Sequence, residues 1–357
     1  MEKGSRSPYY DWRRTLSYDA DVTCVVGARG IGKTYGLRMQ FIRDWIRDGS
    51  RFVEIARYKT EIPDVARDYF GRLEQEDEFK PWMFRTDGKT AWIAPRVPDG
   101  DKPAWEPIGY FVALTEMQKT KKRTFANVYR LLMDEATVDV SDRYHGYLNH
   151  EFELLANIVD SCSRERADGR GRRPHVYLLS NACDLVNPYF VRYGIDTVPP
   201  FGYSWHAGKT FLLHYVRDDE YADAKRAGTV AGRMLRGTAG ERISAYNEFG
   251  NAHDDFIEPK PADADFEFGF IWRGERMGVW YDSVAGNFHI TGKIPNNTTR
   301  PVYAFTRADN RIDVMMVKRS NKLLQSLVDL AVYNQLRFDT VGRRERFYEA
   351  MAMFGIR

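Results

Sequence analysis

One eight-residue stretch constrains this chain more than any other. Gly27-Ala28-Arg29-Gly30-Ile31-Gly32-Lys33-Thr34 matches G-x-x-x-x-G-K-[ST] in full. Glycines let the backbone turn tightly, so that successive N–H groups point inward at phosphate oxygens. A helix opening near Lys33 adds its positive dipole end. Lys33 then reaches the β- and γ-phosphates of a nucleoside triphosphate, and the Thr34 hydroxyl ligates Mg²⁺. The motif requires a strand before it and a helix after it. The apolar run 22–26 and the helix-compatible stretch 33–48 supply both. A site for ATP and Mg²⁺ is expected here, with Gly27, Ala28, Arg29, Gly30, Ile31, Gly32, Lys33 and Thr34 as its nucleotide-binding residues.

A second apolar strand, 128–133, runs into Asp134-Glu135. A carboxylate at such a strand end stands beside the phosphate loop and holds the metal, which assigns Asp134 to Mg²⁺ together with Thr34. A second carboxylate directly after it can polarise the water that attacks the γ-phosphate, so Glu135 is the expected catalytic base. That pairing marks the ATPase class with an additional catalytic glutamate. A third strand, 176–179, leads into Ser180-Asn181, where Asn181 is placed to sense the γ-phosphate. Ser163-Arg164-Glu165-Arg166 ends a helical stretch, and an arginine there suits the negative charge that develops on a transferring phosphoryl group. A neighbouring subunit in a ring could receive Arg164 as a trans-acting finger.

Around these motifs the first half alternates short apolar runs with helical stretches, the pattern of an α/β domain with a parallel-rich sheet. Candidate strands are 22–26, 51–56, 108–114, 128–133 and 176–179, and candidate helices 33–48, 63–75 and 149–163. Asp87-Gly88 between 82–86 and 90–94 predicts a hairpin. Pro199-Pro200 ends the pattern. The sequence therefore divides into an ATPase domain over 1–198, a connector over 199–226 and a smaller α+β domain over 227–357. In the last, strands are expected at 266–273, 277–282, 286–291 and 302–306, and helices at 314–338 and 343–354. The 357 residues suit two domains, and 43% hydrophobic with 14% aromatic residues can fill two cores. No apolar run approaches the ~18 residues of a membrane span. The three cysteines have no metal-ligand spacing and fit a reducing cytosol. Net charge is only +3. Basic residues nonetheless cluster at 119–123 and 164–173, and between 293 and 322.

The segments Leu16-Ser17-Tyr18-Asp19, Val26-Gly27 through Lys33-Thr34, Arg57-Tyr58-Lys59, Ser180-Asn181-Ala182 and Val186-Asn187-Pro188-Tyr189-Phe190 follow in order. Together they resemble the DNA-packaging ATPases of small protein-primed podophages of the Bacillus-phage type. The likeness continues through Gly278-Val279-Trp280 and Leu336-Arg337-Phe338-Asp339. The resemblance implies a homopentameric ring on the portal, or connector, of an empty capsid. Such a ring pumps double-stranded DNA inward with ATP, in some cases with a structural packaging RNA. It implies a setting in the host cytoplasm, transiently at the procapsid vertex, with no membrane partner. Arg164 matches the family's trans-acting arginine, and Lys121 a second basic residue acting across the subunit interface. The longer Gly/Arg-rich stretch 168–173 departs from the family and leaves Arg164 and Arg166 both open as the finger. In this family the C-terminal domain is RNase H-like and has lost its nuclease chemistry. Other readings are a ring helicase or secretion-type ATPase, a nucleotide-gated scaffold that binds DNA or a portal, and a small-molecule kinase. Glu135 and Arg164 argue for turnover, because a switch needs neither.

Overall fold

The computed structural model describes residues 10–116, 125–138, 146–148, 150–163, 172–183, 185–238, 241–242, 245–249, 256–318 and 322–352. The chain divides into two compact units, 1–194 with 199–250, and 195–198 with 251–357.

The first unit is built on a nine-stranded sheet. Its strands are β1 (Val22–Val26), β2 (Arg51–Ala56), β3 (Trp82–Asp87), β4 (Thr90–Pro95), β5 (Glu106–Ala113), β6 (Val128–Met133), β7 (His175–Ser180), β8 (Gly202–His206) and β9 (Phe211–Tyr215). They lie in the order β3-β4-β5-β2-β6-β7-β1-β9-β8. From β5 to β9 every neighbouring pair is parallel. Antiparallel strands close both edges. Strands buried on both faces read as near-continuous apolar runs: His175–Ser180 is buried throughout, and in Val128–Met133 the run is broken only by Arg130, which pairs with Asp44. The helices α1 (Trp12–Ser17), α2 (Lys33–Asp48), α3 (Ile62–Arg67), α4 (Glu151–Ser163), α5 (Pro188–Arg192), α6 (Asp219–Gly228) and α7 (Val230–Met234) complete the unit.

Helix α2 carries the core. Leu37, Phe41 and Ile42 share a buried cluster with Val25, Phe52, Leu132, Tyr177 and Leu179 of the sheet. Full burial of each such side chain is worth about 1.5–3 kcal/mol. Gly49, at φ +72°, ends the helix and donates its N–H to Trp45 O, the left-handed cap that glycine favours.

The expected connector over 199–226 is not one. After Pro199-Pro200 the chain forms β8 and β9, and β9 pairs with β1 in parallel register. Phe211, Leu212 and Leu213 are fully buried, so this stretch belongs to the first unit, which runs on to residue 250. The expected helix 63–75 is likewise shorter: α3 stops at Arg67, and a single 3-10 turn, Leu73–Gln75, follows.

The second unit has a six-stranded sheet of β10 (Asp265–Trp272), β11 (Glu275–Asp282), β12 (Asn287–Thr291), β13 (Val302–Ala304), β14 (Met315–Met316) and β15 (Leu336–Phe338). Their order is β14-β13-β10-β11-β12-β15. Helices α8 (Lys322–Val332) and α9 (Val341–Ala352) pack on it through Leu327, Phe347 and Met351. The continuous helix expected over 314–338 is broken into β14, α8 and β15. Asn334, at φ +58°, takes the left-handed position after α8, and Gln335 N–H closes back on Leu330 O. The chain then reverses into β15.

No helix among the described residues is long and apolar enough to cross a membrane.

Candidate nucleotide site

In a parallel sheet, ligand-binding groups collect at the carboxyl ends of the strands. Here β1 leads into Gly27–Thr34, β6 into Asp134-Glu135, β7 into Asn181 and β2 into Arg57, with β7 lying between β1 and β6. The loop is fixed at its start by Gly27 N–H donating to Ser180 O at 3.0 Å. Gly30 (φ +91°) and Gly32 (φ +79°) adopt the left-handed backbone that the tight turn requires. Outside the motif, Tyr10 N–H donates to Ile31 O at 2.7 Å and the Trp12 indole to Lys33 O at 2.9 Å.

Lys33 is buried and donates to Gly27 O (2.6 Å) and Ala28 O (3.0 Å). Burial pushes its ammonium down to about 8; Asp134 opposes that shift, and the positive charges of Lys225 and Arg29 add to it. With its amide turned so that Nδ2 donates to Gly27 O (3.0 Å), Asn181 accepts from Arg29 Nε at 3.2 Å. Thr34 Oγ1 donates to Asp134 Oδ2 at 2.7 Å, bringing hydroxyl and carboxylate together where a divalent cation could join both. Glu135 follows at φ +50°, its N–H on Asp134 Oδ1. The backbone beyond it is tied to β7: Ala136 N–H donates to Leu179 O (2.8 Å) and Thr137 Oγ1 to Asn181 O (2.9 Å).

Arg57 braces this turn from the β2 side. Its Nη2 donates to Ala136 O at 2.9 Å, and both Nη atoms lie 3.4 Å from Glu135 O. The same guanidinium forms a two-pronged pair with fully buried Glu151, at 2.9 and 3.0 Å. Glu151 also accepts from Tyr189 Oη and Leu148 N–H. Sequence reasoning met Arg57 only within the resemblance. The signal that could have found it is its place at a strand's carboxyl end.

These groups enclose a cavity of about 550 Å³. Arg29, Gly30, Gly32, Lys33 and Thr34 of the loop, Asp134 and Glu135 after β6, and Ser180 and Asn181 at the end of β7 line it together with Tyr35, Arg72, Gln75 and Glu76. Gly27, Ala28 and Ile31 form the base of the loop and do not line it. A smaller cavity, about 280 Å³, includes Arg130, Arg172 and Arg173 among its lining residues; each is engaged by an aspartate. Arg164, Arg166 and Lys121 lie outside the described residues.

A parallel-rich α/β sheet presenting a glycine loop, a lysine and two consecutive carboxylates around one cavity defines a nucleotide-using ATPase. The model of the family described as Podovirus DNA encapsidation protein (Gp16) matches residues 4–354, and the chain belongs to that family. It is 31% identical over 336 residues to the DNA packaging protein of Bacillus phage B103, covering 94% of this chain and 97% of that one. It is 29% identical over 347 residues to the DNA packaging protein of Bacillus phage phi29, covering 96% and 97%. A chain of the bacteriophage Phi-29 viral genome packaging motor assembly superposes with a TM-score of 0.74 at 26% identity, over 98% of this chain and all of the other. The protein is a phage DNA-packaging motor ATPase.

Proposed function

We propose that this chain hydrolyses ATP to drive double-stranded DNA through the portal of an empty capsid, as one subunit of a homomeric ring, most simply a pentamer. The observation that carries the chemistry is the convergence of Lys33, Thr34, Asp134 and Glu135 on one cavity, with Thr34 and Asp134 in direct contact. Lys33 and the loop amides hold the triphosphate. Thr34 and Asp134 hold Mg²⁺, which when bound neutralises phosphate charge. Glu135 takes the proton of the attacking water, and Asn181 reads the γ-phosphate. Arg164 or Arg166, with Lys121, would come from the neighbouring subunit. The ring works in the host cytoplasm at the procapsid vertex, with a packaging RNA as a further partner where one is used.

The second unit supports an RNase H-like reading: its first three strands form an antiparallel meander, β13 adds in parallel beside β10, and β14 in parallel beside β13. Two of its acids serve turns. Asp309 accepts from Arg273 and Gly274 N–H, and Asp282 from Val284 and Ala285 N–H. Among the described residues no group of three or more His, Cys, Asp or Glu is arranged to hold a metal. Lys293, Arg300, Arg307, Arg311, Lys318 and Lys322 are exposed and suit a phosphate backbone. On this reading the second unit binds nucleic acid without cutting it, and supercoiled plasmid should stay intact with Mg²⁺ or Mn²⁺. The direct test of the motor reading is ATP turnover with and without long double-stranded DNA. A motor is stimulated by the DNA, and a nucleotide-gated scaffold is not.

A further inference from the structure

The nucleotide loop is also held from outside its motif, by α6. Asp218 caps that helix, accepting from Tyr221 N–H at 2.9 Å. Tyr221 and Lys225, one turn apart, therefore share a face. Both reach the same atom: Tyr221 Oη and Lys225 Nζ each donate to Arg29 O at 2.8 Å. The approach is close enough that a Cβ on Gly30 would stand against Tyr221 Oη, so the second glycine of the loop serves this contact as well as the turn.

A trans peptide is planar, with its C=O and N–H pointing in opposite directions. Fixing Arg29 O on α6 therefore fixes the Gly30 N–H toward the other side of the loop, and Gly30 lines the cavity. An ammonium at the carbonyl end also polarises the peptide, making its N–H a stronger donor to an anion. We propose that Tyr221 and Lys225 are positioning residues that lock the Arg29–Gly30 peptide with its N–H presented to the nucleotide's phosphates. Without them this peptide is free to turn, and part of the binding energy is spent on ordering it. The inference rests on the nucleotide-site reading above and adds to it two residues that act from outside the motif. Because the locked group meets phosphate, the effect is the same for any polyphosphate and independent of the base.

The test uses the full chain with Tyr221→Phe, Lys225→Met, the double variant and Lys225→Arg. Each is titrated with Mg-ADP and with inorganic tripolyphosphate, and assayed for ATP turnover. The double variant should lose about tenfold in affinity for both ligands while kcat at saturating ATP stays within about twofold. Lys225→Arg, which keeps a charged donor, should retain most of the wild-type affinity. Should the double variant not fold, each single variant should show about a threefold loss for both ligands. Variants that bind tripolyphosphate as tightly as wild type overturn the inference, including the case in which Mg-ADP alone weakens, because that places the contact on the nucleoside. A wild-type chain that binds neither ligand overturns the nucleotide-site reading, and this inference with it.

Discussion

Glu135 occupies a backbone conformation that few side chains other than glycine adopt, and its surroundings account for it. At φ +50° it is held between Asp134 Oδ1 on its own N–H and Arg57 below its carbonyl. Strain of this kind costs of order 1–3 kcal/mol and persists where neighbours over-determine it. Glu135→Gln keeps the shape and removes the basicity. It should bind ATP as wild type and lose about 10²–10⁴-fold in turnover, whereas Lys33→Ala should lose binding; wild-type turnover in Glu135→Gln would refute the assignment. Lys33 also sets a pH dependence. Its ammonium is lowered to about 8 in the free protein, and bound phosphates favour the charged form. Nucleotide affinity should be flat below pH 8 and then fall by up to about tenfold per pH unit above it, one proton being required. Titrations of ADP at pH 7, 8 and 9 check this, and equal affinity at all three would contradict it. The residues that sequence made legible are those whose spacing is fixed by phosphate chemistry. Arg57 escaped because it works through backbone carbonyls and a partner 94 positions away, which leave no local pattern.

The same divide separates the elements. Strands β1, β2 and β6 match their expected bounds, because apolar runs buried on both faces stand out against polar flanks. Strands β8 and β9 did not stand out, since Pro199-Pro200 and the glycines that follow resemble a linker until pairing with β1 is known. The return from α7 holds a further element that no motif announces. Asn247 is buried at φ +57°, with Nδ2 on Val26 O (3.1 Å) and Val216 O (2.9 Å) and Oδ1 on Ala182 N–H (3.2 Å). It thus joins the ends of β1, β7 and β9 beneath the nucleotide loop. Asn247→Gly keeps the left-handed backbone and removes these bonds, and should cost about 2–4 kcal/mol in urea unfolding. A change below about 1 kcal/mol would show that water replaces the amide without loss.

At the scale of the whole chain, membership of the podovirus encapsidation family over residues 4–354 was legible from a few ordered segments. Three of these, 26–34, 57–59 and 180–182, lie at the carboxyl ends of strands around the cavity, where chemistry restricts sequence, while the cores between accept many apolar combinations. In the ring proposed above, Arg164 or Arg166, with Lys121, would come from a neighbour and add positive charge to the one-chain site. The motor account is tested most directly by packaging. Purified chain, empty portal-bearing capsids and genome-length double-stranded DNA are combined with ATP, nuclease is added, and the protected DNA is measured. The account predicts protection of full-length DNA that requires ATP and is abolished by Glu135→Gln. Full protection by Glu135→Gln, or protection that does not need ATP, would contradict it.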